Sequence, residues 1–244
     1  MNTNSNAYTV IYSTVIVILV AAILAFVAMA LKPKQTANIK AETISQMLTA
    51  AGFFTKEECD GMGNDKVLEA YSKNIKRAFV INAQGDSVRA LNTEVTKIEL
   101  QDGLKAQDLA IKGGKAVELP VYVFDKDGKE ITVVPCYGGG LWGPVWGYLA
   151  FDEDHRTFVG AYFDHESETP GLGAKIKDDP DFRAEFVGKI ADFSGAPVFD
   201  IVKGGAPEGR RNAIDAITGA TMTSKGLGSA VNTWLTAYKP YFEK

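Results

Sequence analysis

The sequence predicts an α+β protein: a single N-terminal transmembrane helix, then a domain with a largely antiparallel sheet flanked by helices. Three observations predict it. Residues 8–31 form an apolar run with no charged residue, long enough to cross a bilayer as one helix. From Pro120 onward, short runs rich in β-branched and aromatic residues alternate with turn signals, the pattern of consecutive hairpins. After Ser224, the residues Leu227, Val231, Trp234, Leu235 and Tyr238 recur at helical spacing, which marks the buried face of a closing helix.

The chain has 244 residues, 46% of them hydrophobic, and a net charge of −4. This is ordinary globular composition, and the lack of a basic excess argues against nucleic acid as a partner. The apolar run is read as a retained anchor over residues 10–31, behind a tail at 1–9, with the lipid bilayer as its partner. The rival is a cleaved signal peptide, since Ala28-Met29-Ala30 resembles a cleavage site. Residues 1–9 contain no Lys or Arg, and the run is longer than the roughly 7–15 residues of a signal core. Lys32, Lys34 and Lys40 follow the anchor. Alone they would keep the remaining chain in the cytoplasm, but three lysines are a weak bias and long domains cross regardless of charge.

Ile39, Ile44, Met47, Leu48 and Ala51 continue at helical spacing, so a helix leads away from the membrane. A short helix over 67–71 precedes a strand over 78–82, while residues 83–117 show no clear period. Residues 32–117 are therefore taken as a helical stalk and mixed α/β segment, and 118–244 as the main domain. Within it, the apolar runs 121–124 and 131–134 flank Asp125-Lys126-Asp127-Gly128, a hairpin with Asp-Gly in its turn. Strands over 146–151 and 157–163 flank an acidic turn, Asp152-Glu153-Asp154. A helix over 182–190, a strand over 197–202 and a helix after Thr221 complete the pattern. Cys59 and Cys136 lack metal spacing and read as unpaired small side chains. His155 falls in a turn without clustered ligands, so no metal site is expected. No Ser/His/Asp arrangement or nucleotide-binding glycine fingerprint is present, and no catalytic residues are assigned.

Three segments carry chemistry. Asp215-Ala216-Ile217-Thr218-Gly219-Ala220-Thr221-Met222-Thr223-Ser224 combines a glycine turn, four hydroxyls and a helix start. Thr223 or Ser224 is the expected N-cap, with Thr221 just outside the first turn. Unpaired N–H groups and the positive end of the helix dipole favour an anion there. The plain alternative is a turn followed by a capped helix. Gly138-Gly139-Gly140-Leu141-Trp142-Gly143-Pro144 joins two strands. Its glycines let the backbone approach a ligand, and Trp142 or Trp146 can wall a flat ring; alternatively the tryptophans fill the core. His165-Glu166-Ser167-Glu168-Thr169-Pro170-Gly171-Leu172-Gly173 is a loop by its Pro-Gly chemistry, offering Glu168 and Thr169 as polar groups and Leu172 as an apolar tip.

Asp-x-x-Thr-Gly-Ala-Thr, followed by x-Thr-Ser and an amphipathic helix, resembles the covalent flavinylation motif of the FMN-binding domain family. It matches at Asp215, Thr218, Gly219, Ala220 and Thr221. Glu168-Thr169-Pro170-Gly171-Leu172-Gly173 and Gly140-Leu141-Trp142 resemble the flavin-surrounding loops of one branch: the C subunits of sodium-translocating NADH:quinone oxidoreductases and the G subunits of Rnf electron-transport complexes. Chain length and the long segment between anchor and β region favour the oxidoreductase branch. The resemblance implies FMN joined through its phosphate to Thr221 by a flavin transferase that recognises Asp215, for which turn hydrogen bonding is the alternative role. The backbones of 138–140 and 169–173 are the candidates for ring contacts, with Thr223 close by. Lys175 or Lys225 is a candidate to offset negative charge, a solvated lysine being the plainer reading of each. The role implied is relaying single electrons between neighbouring redox subunits of a complex in the bacterial inner membrane. The soluble domain would be periplasmic, against the bias of the lysines. Sodium translocation would belong to the assembled complex, because one uncharged anchor provides no ion path. A cofactor-free anchored binding module is the competing reading.

Overall fold

A computed structural model describes residues 5–93 and 103–244 and divides into two compact units, 1–41 and 42–244. The first is the apolar part of α1 (Asn6–Ala50), a helix long and apolar enough to cross a membrane. Val10, Ile18, Leu24, Phe26 and Met29 are among its exposed side chains, the pattern of a helix whose solvent is lipid.

The second unit is organised by a six-stranded antiparallel sheet. Its strands are β1 (Ile75–Ile81), β2 (Ser87–Ala90), β3 (Leu119–Lys126), β4 (Lys129–Gly139), β5 (Pro144–Phe151) and β6 (Phe158–His165), in the order β2-β1-β3-β4-β5-β6. The expected Asp-Gly hairpin joins β3 to β4. Asp127 and Gly128 have φ of 55° and 85°, and Lys126 pairs with Lys129 across them, the left-handed pair that a tight two-residue turn requires. β1 and β2 precede position 118 yet are hydrogen-bonded into the same sheet.

Both faces of the sheet are covered, which explains why its strands read as nearly continuous apolar runs. Val121, Val123, Val134, Cys136, Leu149 and Phe163 point to one core. Tyr122, Phe124, Val133, Tyr148, Ala150 and Tyr162 point to the other. The first core is closed by α7 (Thr221–Phe242), through Leu227, Val231, Trp234, Leu235 and Tyr238. Tyr238 also donates its hydroxyl to the Pro120 carbonyl at 2.7 Å. The second is closed by the end of α1, with Ile44, Met47 and Leu48, and by Val67 and Tyr71 of α3 (Asn64–Asn74). Cys59 and Cys136 are free and buried in different cores.

Several expectations need correction. α2 (Lys56–Met62) was not foreseen, although Thr55 and Glu58 form a complete capping box at its start. The unassigned region 83–117 contains β2 and α4 (Leu104–Lys112), with residues 94–102 outside the described ones. The helix expected over 182–190 is instead α5 (Lys175–Asp178) and α6 (Pro180–Ala184). Gly188 takes φ 77°, and the Lys189 carbonyl accepts from Phe158 N–H at 2.9 Å, so the chain leaves helical geometry to bond the edge strand. The strand expected over 197–202 shortens to β7 (Asp200–Val202), which pairs in parallel with β8 (Ala213–Asp215).

Candidate functional site

Three segments meet at one end of α7. The helix begins at Thr221, earlier than hydroxyl chemistry suggested: Ala220 is the N-cap, without a side-chain cap, and Ser224 N–H already bonds the Ala220 carbonyl at 2.9 Å. Thr223 and Ser224, the expected caps, are engaged elsewhere. Ser224 Oγ accepts from Ile217 N–H at 3.1 Å. Thr223 Oγ1 donates to Glu168 Oε2 at 2.6 Å, and both residues are buried. Glu168, far away in sequence, takes the Thr223 hydroxyl, and the preceding turn takes that of Ser224.

The first-turn N–H groups of Thr221, Met222 and Thr223 therefore precede the first intrahelical bond and have no partner among the described residues. Thr221 is half-buried, and its hydroxyl likewise has no partner among the described residues. Ahead of it, Gly219 has φ 82°, and a Cβ there would lie 2.9 Å from Leu172 Cδ2, so the 169–173 loop lies directly against the motif. Thr218 is exposed and Ala220 buried.

Glu168 was expected to offer a polar group to a ligand; its side chain instead turns inward. Oε1 accepts the N–H groups of Leu141 and Trp142 at 2.7 and 3.0 Å, while Oε2 accepts from the Thr223 hydroxyl. Burial by itself would push this carboxyl up, but the Thr223 hydroxyl and the two N–H groups hold it below the usual carboxylate range. The backbone of 138–140, expected to face a ring, is partly engaged within the protein. Gly138 and Gly139 pair with Val145 and Pro144 in the sheet, and Gly140 N–H bonds the Gly143 carbonyl at 2.7 Å. Leu172 N–H and Ala174 N–H both bond the Thr169 carbonyl, each at 3.1 Å, so much of the second backbone is also spent on folding its own loop.

The rim of these segments carries exposed apolar side chains. Leu141 (50% exposed), Trp142 (67%), Leu172 (43%) and Met222 (57%) stand out from these segments, whereas Trp146 is half-buried against the core. Thr169, Pro170 and Gly171 form the exposed loop tip, Gly173 is buried, and Lys175 is half-buried at the start of α5. A free hydroxyl beside unpaired N–H groups suits a phosphate ester, and an exposed apolar rim suits a flat heteroaromatic ring. The residues fit FMN.

Asp215 lies outside this cluster. Its Oδ1 accepts from Ala206 N–H at 2.7 Å, and its N–H donates to Glu185 Oε2 at 2.8 Å, so it ties down the 203–207 turn. Burial and the facing Asp215 charge push the Glu185 carboxyl up. Sequence reasoning missed His165, whose Nδ1 accepts from Glu168 N–H at 3.1 Å; no local pattern signals that bond.

Comparisons with known proteins agree with this geometry. Residues 140–236 match the FMN-binding domain family. The C subunit of the Na(+)-translocating NADH-quinone reductase of Yersinia pestis is 30% identical, over 100% of this chain and 94% of the relative. That of Vibrio vulnificus is 31% identical over 85% of this chain and 82% of the relative. Among solved structures, the corresponding protein of Parabacteroides distasonis superimposes with a TM-score of 0.73 at 31% identity, covering 88% of this chain and 98% of that one. The chain therefore belongs to the family of Na(+)-translocating NADH-quinone reductase C subunits.

Proposed function

We propose that this chain carries FMN, esterified through its phosphate to Thr221, and relays single electrons between neighbouring redox subunits of a Na(+)-translocating NADH-quinone reductase. The observation carrying the reading is the Thr221 hydroxyl, unpartnered among the described residues at a helix start with three unpaired N–H groups. The FMN-binding domain match at 140–236 supports the cofactor. The names of the relatives support a place in a multi-subunit complex.

The redox chemistry is supplied by the flavin when bound; this chain's residues retain and orient it. Attachment within a flavin transferase would form a bond from Thr221 Oγ1 to the FMN phosphorus of an FMN phosphoanhydride donor, break the anhydride P–O bond, and pass the hydroxyl proton to the departing phosphate. The first-turn N–H groups and the positive end of α7 would hold the remaining phosphate charge. Leu141, Trp142, Leu172 and Met222 present apolar surface to the ring. Asp215, which bonds Ala206 N–H in the 203–207 turn, forms part of what the transferase recognises. α1 anchors the chain in the bacterial inner membrane with residues 42–244 on the periplasmic side. A dissociated cofactor would not be replaced there, so the ester serves retention.

The test is full-length protein made alongside a flavin transferase and run on a denaturing gel. Wild type is expected to fluoresce as flavin and Thr221→Val to be dark with an unchanged circular dichroism spectrum. A fluorescent Thr221→Val band rejects the assignment.

A further inference from the structure

Glu168 joins parts of the chain that sequence keeps far apart. It is 5% exposed, and its carboxylate accepts from Leu141 N–H, Trp142 N–H and Thr223 Oγ1. Its own N–H is held by His165 Nδ1, and Ser167 Oγ adds a bond to the Trp142 carbonyl at 3.0 Å. A Cβ at Gly140 or at Gly173 would run into the carboxylate oxygens, so two glycines leave the space this group fills. Leu141 and Trp142 thus project exposed side chains from a backbone anchored by charge-assisted bonds, which are roughly twice as strong as neutral ones.

We propose that Glu168 is a positioning residue: it locks the Leu141–Trp142 edge to the first turn of α7 and so sets where a ring carried on Thr221 rests. The inference builds on the Thr221 reading above. Glu168 acts through Leu141, Trp142 and Thr223 rather than by touching the cofactor. Its three acceptor bonds are all used within the protein, leaving the apolar rim to meet the ring. Hydrogen-bond geometry is the requirement, and a carboxamide reproduces it: the oxygen accepts both N–H groups and the NH2 donates to Thr223 Oγ1.

The test compares full-length wild type, Glu168→Gln, Glu168→Ala and Thr223→Val, made with a flavin transferase and purified in detergent. Covalent FMN is scored after denaturation, ring placement by the flavin's visible circular dichroism, and the lock by amide exchange at Leu141 and Trp142. All four are expected to carry covalent FMN. Glu168→Ala should lose at least fivefold in visible dichroism, with exchange at 141 and 142 at least tenfold faster. Glu168→Gln should stay within twofold of wild type in dichroism and within threefold in exchange. Thr223→Val should keep the protection at 141 and 142 but lose at least twofold in dichroism. Unchanged dichroism in Glu168→Ala overturns the proposal, as does a Gln variant that behaves like the Ala one. If Glu168→Ala does not fold, Thr223→Val decides, and unchanged dichroism there overturns it. Wild type without covalent flavin would remove the Thr221 reading instead; the exchange comparison, which needs no flavin, still decides the lock.

Discussion

α7 meets the end of β4 so closely that two glycines on one helix should respond differently to the same substitution. A Cβ at Gly226 would lie 3.2 Å from the Gly139 carbonyl carbon and 3.2 Å from Gly140 Cα, with the Gly139 oxygen closer still. Every one of those atoms is backbone, so no side chain can swing aside. At Gly228 the neighbours are Ile201 Cβ and Cγ1, both at 3.7 Å, which is ordinary contact. Alanine gains about 1 kcal/mol over glycine inside a helix, and that gain is common to both sites. Overpacking at Gly226 costs about 1–3 kcal/mol. Gly228→Ala should therefore stabilise by up to about 1 kcal/mol, whereas Gly226→Ala should be neutral or lose up to about 2. The two variants should lie about 1–3 kcal/mol apart. Urea unfolding of the full chain in detergent, followed by far-ultraviolet circular dichroism, measures the gap. Equal stabilisation of the two would show that α7 is not seated against the 139–140 backbone, and the assembly of the site would be misdescribed.

Asp215→Ala should change stability by less than about 1 kcal/mol, since its bond to Ala206 N–H is exposed; flavin occupancy in cells should fall several-fold, measured by intact mass. The Cys136 thiol, pushed up to about 12 by burial, should resist iodoacetamide at pH 8 until the protein is unfolded, as read by mass spectrometry. Acid should release the Glu168 lock. Its carboxyl sits below the ordinary value in the folded state, so its contribution is complete above about pH 4.3 and is lost as the pH falls through the folded value. Melting temperature should accordingly drop more steeply between pH 5 and 3 for wild type than for Glu168→Gln, and parallel curves would contradict that.

The sequence disclosed what depends on local chemistry. Asp127-Gly128 announced its hairpin, because few other pairs accept left-handed geometry twice in succession. The apolar face of α7 announced its helix, because a single buried core reads it. What was hidden depends on distant partners. Thr223 looks like an N-cap until Glu168, 55 residues earlier, takes its hydroxyl. Phe182 and Phe186 have helical spacing, but both serve a shared aromatic cluster with Phe163, and Gly188 ends the turn between them and the edge strand. The motif's residues were legible by type, and their placement on an unpartnered hydroxyl was not.

The central claim concerns one side-chain oxygen, and peptide mapping of wild-type protein made with a flavin transferase addresses it most directly. The account predicts that the peptide containing Thr221 carries the mass of FMN less one water and that fragmentation places it on Thr221. An unmodified peptide, or a flavin mass localised to Thr218 or Thr223, would contradict it.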